Sequence, residues 1–282
     1  MLKKWYRFLH PKFQTLFLDY PVDMKPRYGH GLPAHAGLKT IIDQNRKVYE
    51  QYLHEMLALK ENFWSIRKAN DESDTRKPGW NNGFLPGLDI LGIYTLLKHF
   101  SPARYVEIGS GNSTKVAYLA KNDHQLSTKI ISIDPQPRAE IDALADEVIR
   151  KPFEDTRIDL ADMLQANDIL FVDNSHRILP NSDAMVFFMD ILPRLKKGVI
   201  VHIHDIYLPY DYPQFMCDRI YSEQYGLAMY LLANPNKYQT LLPNYYISED
   251  KSLAAILEPI WNHPNLQGVE KHGGSYWLQI AE

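Results

Sequence analysis

The sequence predicts an α/β fold: a doubly wound, mostly parallel seven-stranded sheet with helices on both faces, preceded by a mainly helical N-terminal extension. Three observations predict it. From residue 103 onward, short apolar runs alternate with helical periodicities, the grammar of a parallel sheet covered on both faces. The first of those runs ends in a glycine-rich turn, Gly109-Ser110-Gly111, that leads into a helix. Residues 1–80 lack the alternation, and Pro11, Pro21, Pro26 and Pro33 with Gly29, Gly31 and Gly37 punctuate the start of the chain too often for long helices.

Each element follows from its local pattern. Lys39 to about Lys68 reads as helix, because Ile41, Ile42, Val48, Tyr52, Leu53, Met56, Leu57 and Leu59 recur at roughly helical spacing. A polar loop, Asn70–Gly79, precedes a second helix over Leu88–Phe100. Strands are expected at Tyr105–Ile108, Ile130–Ile133, Val148–Ile149, Ile169–Val172 and Val199–Ile203. The helices between them are expected at Ser113–Lys121, Ala139–Asp146 and Asp183–Leu195, the last capped by Asn181. The tail breaks the rhythm: helix over Tyr221–Leu232, strand over Tyr238–Leu241, helix over Ser252–Leu257 and a closing strand over Ser275–Ile280. The domain division expected is an extension over 1–80 and a core over 81–282 with an insertion near 205–275.

Composition excludes several classes. With 282 residues the chain can bury a large core without staples. At 45% hydrophobic and 23% charged it is neither disordered nor collagen-like. A net charge of −3 disfavours a dedicated nucleic-acid binder, so no nucleic-acid partner is expected. Cys217 is alone, so neither an intrachain disulfide nor a cysteine-only zinc site can form. No stretch reaches the roughly 18 apolar residues of a spanning helix. Pro11, Lys12 and Gln14 interrupt any signal-peptide core, and the protein is read as cytoplasmic.

The segment Val106-Glu107-Ile108-Gly109-Ser110-Gly111-Asn112-Ser113-Thr114 carries the functional argument. Its two glycines let the backbone approach a ligand closely. Nicotinamide dinucleotide turns carry a third glycine where Thr114 stands, and Glu107 would repel a phosphate. A carboxylate at that strand end suits a ligand bearing ammonium or sulfonium charge. Asp134, closing the second strand, can accept two hydrogen bonds from a ribose diol.

Together Glu107, Gly109, Gly111 and Asp134 resemble the class I S-adenosylmethionine-dependent methyltransferases, over about residues 81–282. Phe171-Val172-Asp173-Asn174-Ser175-His176, followed by Gly198 to Asp205, resembles a bacterial branch of that family. The resemblance implies a Rossmann-like core and S-adenosylmethionine as cofactor. Glu107 and the Gly109–Gly111 loop with Ser110 would hold the methionine moiety, and Asp134 the ribose. Pro152, Phe153, Glu154 and Asp155 would lie near the adenine. Ser113 is either a ligand or, like Thr114, a helix cap.

In a parallel sheet, ligands sit beyond the carboxyl ends of the strands. That collects Gly109, Asp134, Asp173 and Asp205 on one rim, with His176 and His204 beside them. An alcohol or phenol acceptor must lose its proton or bind a metal. The expected roles are His176 as base with Asp173 as its orienter, and His204 and Asp205 as a second base or acceptor anchor. Asp173 also borders the cofactor. Metal-dependent O-methyltransferases, which the positions resemble, bind magnesium through acids after the fourth and fifth strands. Asp173 and Asp205 match, whereas His204 stands where magnesium prefers oxygen, so Asp173, His204 and Asp205 suit a softer divalent ion. His202 reads as a core histidine, and His30 and His35 as chance scatter.

The extension is expected to supply a lid, a dimer interface or an acceptor pocket, so a homo-oligomer is an open option. Trp80–Phe84 would flank the site or serve as an ordinary loop. Tyr207, Tyr210 and Tyr212 would stack on a sugar or aromatic acceptor. Lys3, Lys4, Arg7 and Lys12 among Trp5, Phe8, Leu9, Phe13 and Phe17 suit an anionic membrane. Pro11 breaks that helix, and packing against the core or another subunit is the expectation. The functional reading is O-methylation of a small molecule or glycan precursor; its rival is a non-catalytic cofactor-binding or scaffold protein on the same fold.

Overall fold

The computed structural model describes residues 2–11, 13–137 and 139–282, with the side chains of residues 2, 3, 4 and 7 left out. The expected cation at Lys12 therefore lies outside the described residues, as do the side chains of Lys3, Lys4 and Arg7. Seven strands, β1 (Arg104–Ile108), β2 (Lys129–Ile133), β3 (Glu147–Ile149), β4 (Ile169–Val172), β5 (Ile200–His204), β6 (Tyr238–Pro243) and β7 (Ser275–Ile280), form one sheet. Its order is β3-β2-β1-β4-β5-β7-β6, with β1–β5 parallel and β7 antiparallel to both neighbours. This is the doubly wound sheet expected from the alternating pattern. Strands β4 and β5 are fully buried because helices cover both faces, β4 as an apolar run and β5 with two histidines in it.

The N-terminal region is helical: α1 (Leu2–Leu9), α2 (Ala36–Asp43), α3 (Arg46–Ala58) and α4 (Lys60–Ser65). The continuous helix expected over 39–68 is in fact three, interrupted at Gln44-Asn45 and at Leu59, where main-chain bonds tighten to nearer carbonyls. Tyr49, Tyr52, Leu53 and Met56 of α3 and Phe63 of α4 share one apolar core with the sheet. The next helices are α5 (Gly87–Phe100) and α6 (Asn112–Asp123). By contrast Trp5, Phe8 and Leu9 of α1 are exposed and lie outside that core, where packing against the core or another subunit was the expectation.

Two helix expectations fail for local reasons. Residues 139–146 form turns: Asp146 spends its carboxylate on the Ile130 amide and Lys121, and Asp142 pairs with Arg150. The helix expected over Asp183–Leu195 is one α turn (Asp183–Val186), a π segment (Phe187–Ile191) and a 3₁₀ turn (Leu192–Arg194). Pro193 brings no N–H to the ladder there. Its cap is Ser182, which accepts from the Met185 amide, while Asn181 adopts φ 58°.

The order of strands positions the site. The sheet reverses direction of winding at β1, which has β2 on one side and β4 on the other. Ile108 pairs with Ile133 and with Val172, and Val172 pairs with Ile203. The next residue of each strand, Gly109, Asp134, Asp173 and His204, therefore stands in one row at the carboxyl edge.

Candidate functional site

Gly109 turns the chain off β1 with φ 81°, and a Cβ there would come 1.9 Å from the Asp173 carbonyl oxygen. Only glycine allows the ends of β1 and β4 to cross this closely. The Ser110 amide then donates to Asp134 Oδ2 at 2.9 Å, and the Gln136 amide to Asp134 Oδ1 at 2.7 Å. A carboxylate has about four lone-pair sites, so Asp134 keeps capacity for a diol after both bonds. The Gly111 amide donates to Thr114 Oγ1 at 3.2 Å, and Thr114 in turn donates to Glu107 Oε2. Thr114 thus ties the loop to the strand, the structural role expected of a cap.

Glu107 is fully buried behind the loop and does not line the cavity described next. Burial pushes its carboxyl up to about 7 against the hydrogen bond from Thr114. Its Oε1 has no hydrogen-bond partner. Through Thr114, Glu107 supports the loop from behind.

A cavity of about 400 Å³ opens over this edge, within the roughly 300–1,000 Å³ of small-molecule sites. Gly109 to Ser113, Asp134, Pro152 to Glu154 and Asp173 line it, with Phe84 and Leu85 at its side. The residues expected around the cofactor converge here, apart from Glu107 and Asp155. Trp80 is instead a core residue, edge-on to Trp261. A Cβ on Gly111 would meet no protein atom within 4 Å. Asn174 also lines the cavity, and its buried Nδ2 has no partner, leaving a donor for a ligand.

Asp173 connects this cavity to a cluster of buried acids and histidines. His176 Nε2 lies 3.6 Å from Asp173 Oδ1 and 3.4 Å from Asp205 Oδ2, and its Nδ1 lies 2.6 Å from Glu223 Oε1. His204 Nδ1 lies 3.7 Å from Asp173 and 3.5 Å from Asp205, and its Nε2 lies 3.3 Å from Asp89 Oδ2. Asp89, fully buried on α5, also accepts from Asn244 Nδ2 and Ser275 Oγ, both at 2.7 Å, and from the Gly274 amide at 2.8 Å. His176 and Asp205 both hold left-handed backbone, φ 64° and 54°, a strain that persists only where surroundings over-determine it.

The charges follow from burial and pairing. Burial would lower the His176 pKa, but Glu223, Asp173 and Asp205 outweigh it and raise it to about 9. His204 is likewise carried well above its ordinary value, against burial, by Asp173 and Asp89. Burial would raise Asp89, yet His204, Ser275 and Asn244 hold it below the usual carboxylate range. Burial raises Asp205 and, with its partner His176 opposing, lifts Glu223 to about 7. His176 already holds its proton at neutral pH, and Glu223, not Asp173, sits on its Nδ1.

Asp173, His176 and Asp205 bring a ligand atom each within 4.8 Å of one another, a grouping that could hold a divalent ion. His176 takes the place expected for His204 in it. Sequence reasoning missed Asp89 and Glu223. Asp89 had a signal, a lone acid inside the apolar run Leu88–Leu97; Glu223 had none. The expected acceptor-stacking tyrosines pack against other tyrosines: Tyr212 is fully buried and 6.0 Å from Tyr207, and Tyr207 and Tyr210 lie 4.5 Å and 5.7 Å from Tyr245. Tyr221 stacks on the cluster, 4.5 Å from His176. His202 is the expected core histidine, stacked 3.8 Å from Trp277 and held neutral by burial. His35 caps α2, and His30 contacts the Asp211 carbonyl.

Residues 106–206 match the family model described as a methyltransferase domain. No curated protein matches the chain. Among solved structures, the SAH-bound methyltransferase PaMTH1 of Podospora anserina is 15% identical, covering 90% of this chain and 100% of its own, with a TM-score of 0.42. A protein of Thermobifida fusca, provisionally named a methyltransferase, is 13% identical over 68% of this chain and 79% of its own, also at 0.42. Residues 106–206 thus resemble a methyltransferase domain, and they lie on a doubly wound sheet of order β3-β2-β1-β4-β5-β7-β6.

Proposed function

We propose that the protein transfers a methyl group from S-adenosylmethionine to an oxygen of a small molecule or glycan precursor. The single observation that carries the reading is Asp173, which lines the cavity and belongs to the acid–histidine cluster. Cofactor and acceptor chemistry thereby share one wall. When bound, S-adenosylmethionine supplies a methyl group on a sulfonium whose departure needs no protonation.

The chain's own residues supply alignment and proton handling. Asp134 and the Ser110–Ser113 turn hold the ribose and methionine ends, Pro152 to Glu154 the adenine end, and Asn174 Nδ2 a further acceptor atom of the ligand. The acceptor hydroxyl lies against Asp173 and Asp205. Asp205, made more basic by burial, takes its proton. His176, kept charged by Glu223, holds both carboxylates in place, and His204 does the same from Asp89. A divalent ion fits the same three side chains: two carboxylate oxygens and one imidazole nitrogen suit a softer ion than magnesium. Asp173, Asp205 and His176 Nε2 would hold it, and it would supply a Lewis-acid contact to the acceptor oxygen. Residues 1–80 form the extension to this domain, and the setting is the cytoplasm.

The test begins with calorimetric titration of S-adenosylmethionine and S-adenosylhomocysteine into the protein and its Asp134→Ala variant. Micromolar binding, about −8 kcal/mol, lost on substitution, supports the reading. No binding of either ligand to folded protein overturns it. With an acceptor in hand, unchanged turnover on Asp205→Asn would remove the assignment of the proton acceptor.

A further inference from the structure

Among the described residues, the cation-rich segment before Met24 contributes none to the cavity or to the acid–histidine cluster. In α1, at 100° per residue, positions 3, 4 and 7 fall on one arc and positions 5, 8 and 9 on the opposite arc. The first set is Lys3, Lys4 and Arg7; the second is Trp5, Phe8 and Leu9. The apolar set is not covered by the body: Trp5 is 59% and Leu9 73% exposed. From residue 13 to residue 35 the chain has no helix or strand, and Phe13, Leu16, Phe17, Leu18 and Tyr20 are exposed as well. Ten of the nineteen exposed large hydrophobics among the described residues lie between 5 and 22. The chain is tied to the body further on, where the Met24 carbonyl accepts from Gln214 Nε2 at 2.8 Å and the Arg27 amide donates to Asp211 at 2.9 Å.

Charge identifies what covers this arm. Before Asp19 it has four cations, Lys3, Lys4, Arg7 and Lys12, and no acid, in a chain whose net charge is −3. A short helix with cations on one arc and tryptophan and phenylalanine on the other is the form that lies in a lipid interface. The irregular stretch after it presents apolar groups on no single face. A fluid interface accepts such a stretch, whereas a protein groove requires an ordered one.

We propose that residues 2–20 are an interfacial arm that seats the protein on an anionic lipid surface, its cations against the headgroups and its aromatic residues at the acyl boundary. The arm binds the leaflet from one side without crossing it; no helix among the described residues is long and apolar enough to span. The proposal is independent of the methyl-transfer reading.

Co-sedimentation of the full chain with phosphatidylcholine vesicles, with and without phosphatidylserine, tests it. Binding should require phosphatidylserine and fall as salt rises. Each cation near such a surface contributes about five-fold, so Lys3→Gln with Lys4→Gln should weaken partitioning about twenty-five-fold. Trp5→Ser with Phe8→Ser should abolish binding at low salt, and thermal unfolding of both double variants should match the parent, since the arm lies outside the core. Equal partitioning on both vesicle types, or none, overturns the proposal. So does concentration-dependent self-association that these substitutions abolish and vesicles do not compete with, which would make a second copy the occupant.

Discussion

Replacing Gly109 by alanine tests the crossing of β1 and β4 on which the site depends. The left-handed backbone at φ 81° costs a non-glycine residue about 1–2 kcal/mol. The new Cβ would stand 1.9 Å from the Asp173 carbonyl oxygen, where non-bonded atoms settle near about 3.5 Å. The strand ends must therefore part, against the Asp173 amide's bond to the Ile108 carbonyl (2.8 Å) and the Gly109 amide's bond to the Ile133 carbonyl (3.0 Å). Overpacking of this kind costs about 1–3 kcal/mol, for a total of about 2–5 kcal/mol. In a chain of this size that lowers the Tm by about 4–10 °C. Affinity for S-adenosylhomocysteine should fall with it, because the displaced carbonyl belongs to a cavity residue. Gly111→Ala is the contrast: its Cβ meets no protein atom but projects from the cavity lining, so stability should hold while affinity falls. Thermal unfolding and calorimetric titration of both variants give the answer. A Gly109→Ala protein that unfolds and binds like the wild type refutes the close crossing.

Three further outcomes are expected. Glu107 has a folded pKa near 7, above the ordinary value of 4.5, so the folded state holds a proton that the unfolded state releases between those values. Stability should fall by about 3 kcal/mol as pH rises from 4.5 through 7, and Glu107→Gln should flatten that slope in urea titrations; an unchanged slope refutes the assignment. Asp89→Ala strips the buried His204 of its partner at 3.3 Å and should cost about 3–5 kcal/mol, measured by chemical denaturation, where a loss below about 1 kcal/mol would show the pair to be dispensable. Titration of manganese into the cofactor-free protein should give binding that His176→Gln removes and His204→Gln leaves largely intact, since His176 belongs to the convergent set. The reverse pattern would return the metal to Asp173, His204 and Asp205.

The loop and the strand-end acids were legible because their chemistry is local. Gly109 and Gly111 between a strand and a helix, Asp134 one residue past β2 and Asp173 one past β4 each announce a carboxyl-edge position from their own neighbours. Glu107 was legible as a strand-end acid, but its direction was not: alternation along β1 turns it behind the loop. Helix boundaries failed where a side chain took a distant partner, as Asp146 does with the Ile130 amide.

The sequence by itself determined the sheet class, the glycine turn and the rim of Asp134, Asp173 and Asp205, because strand burial and backbone freedom act over a few adjacent residues. Only the tertiary structure decided which groups face one another across that rim. Asp89 meets His204 from a helix 115 positions away, and Glu223 meets His176 from one 47 positions away. Those pairings set the protonation of both histidines, and so their roles, because a buried charge takes its state from whichever opposite charge folding brings beside it.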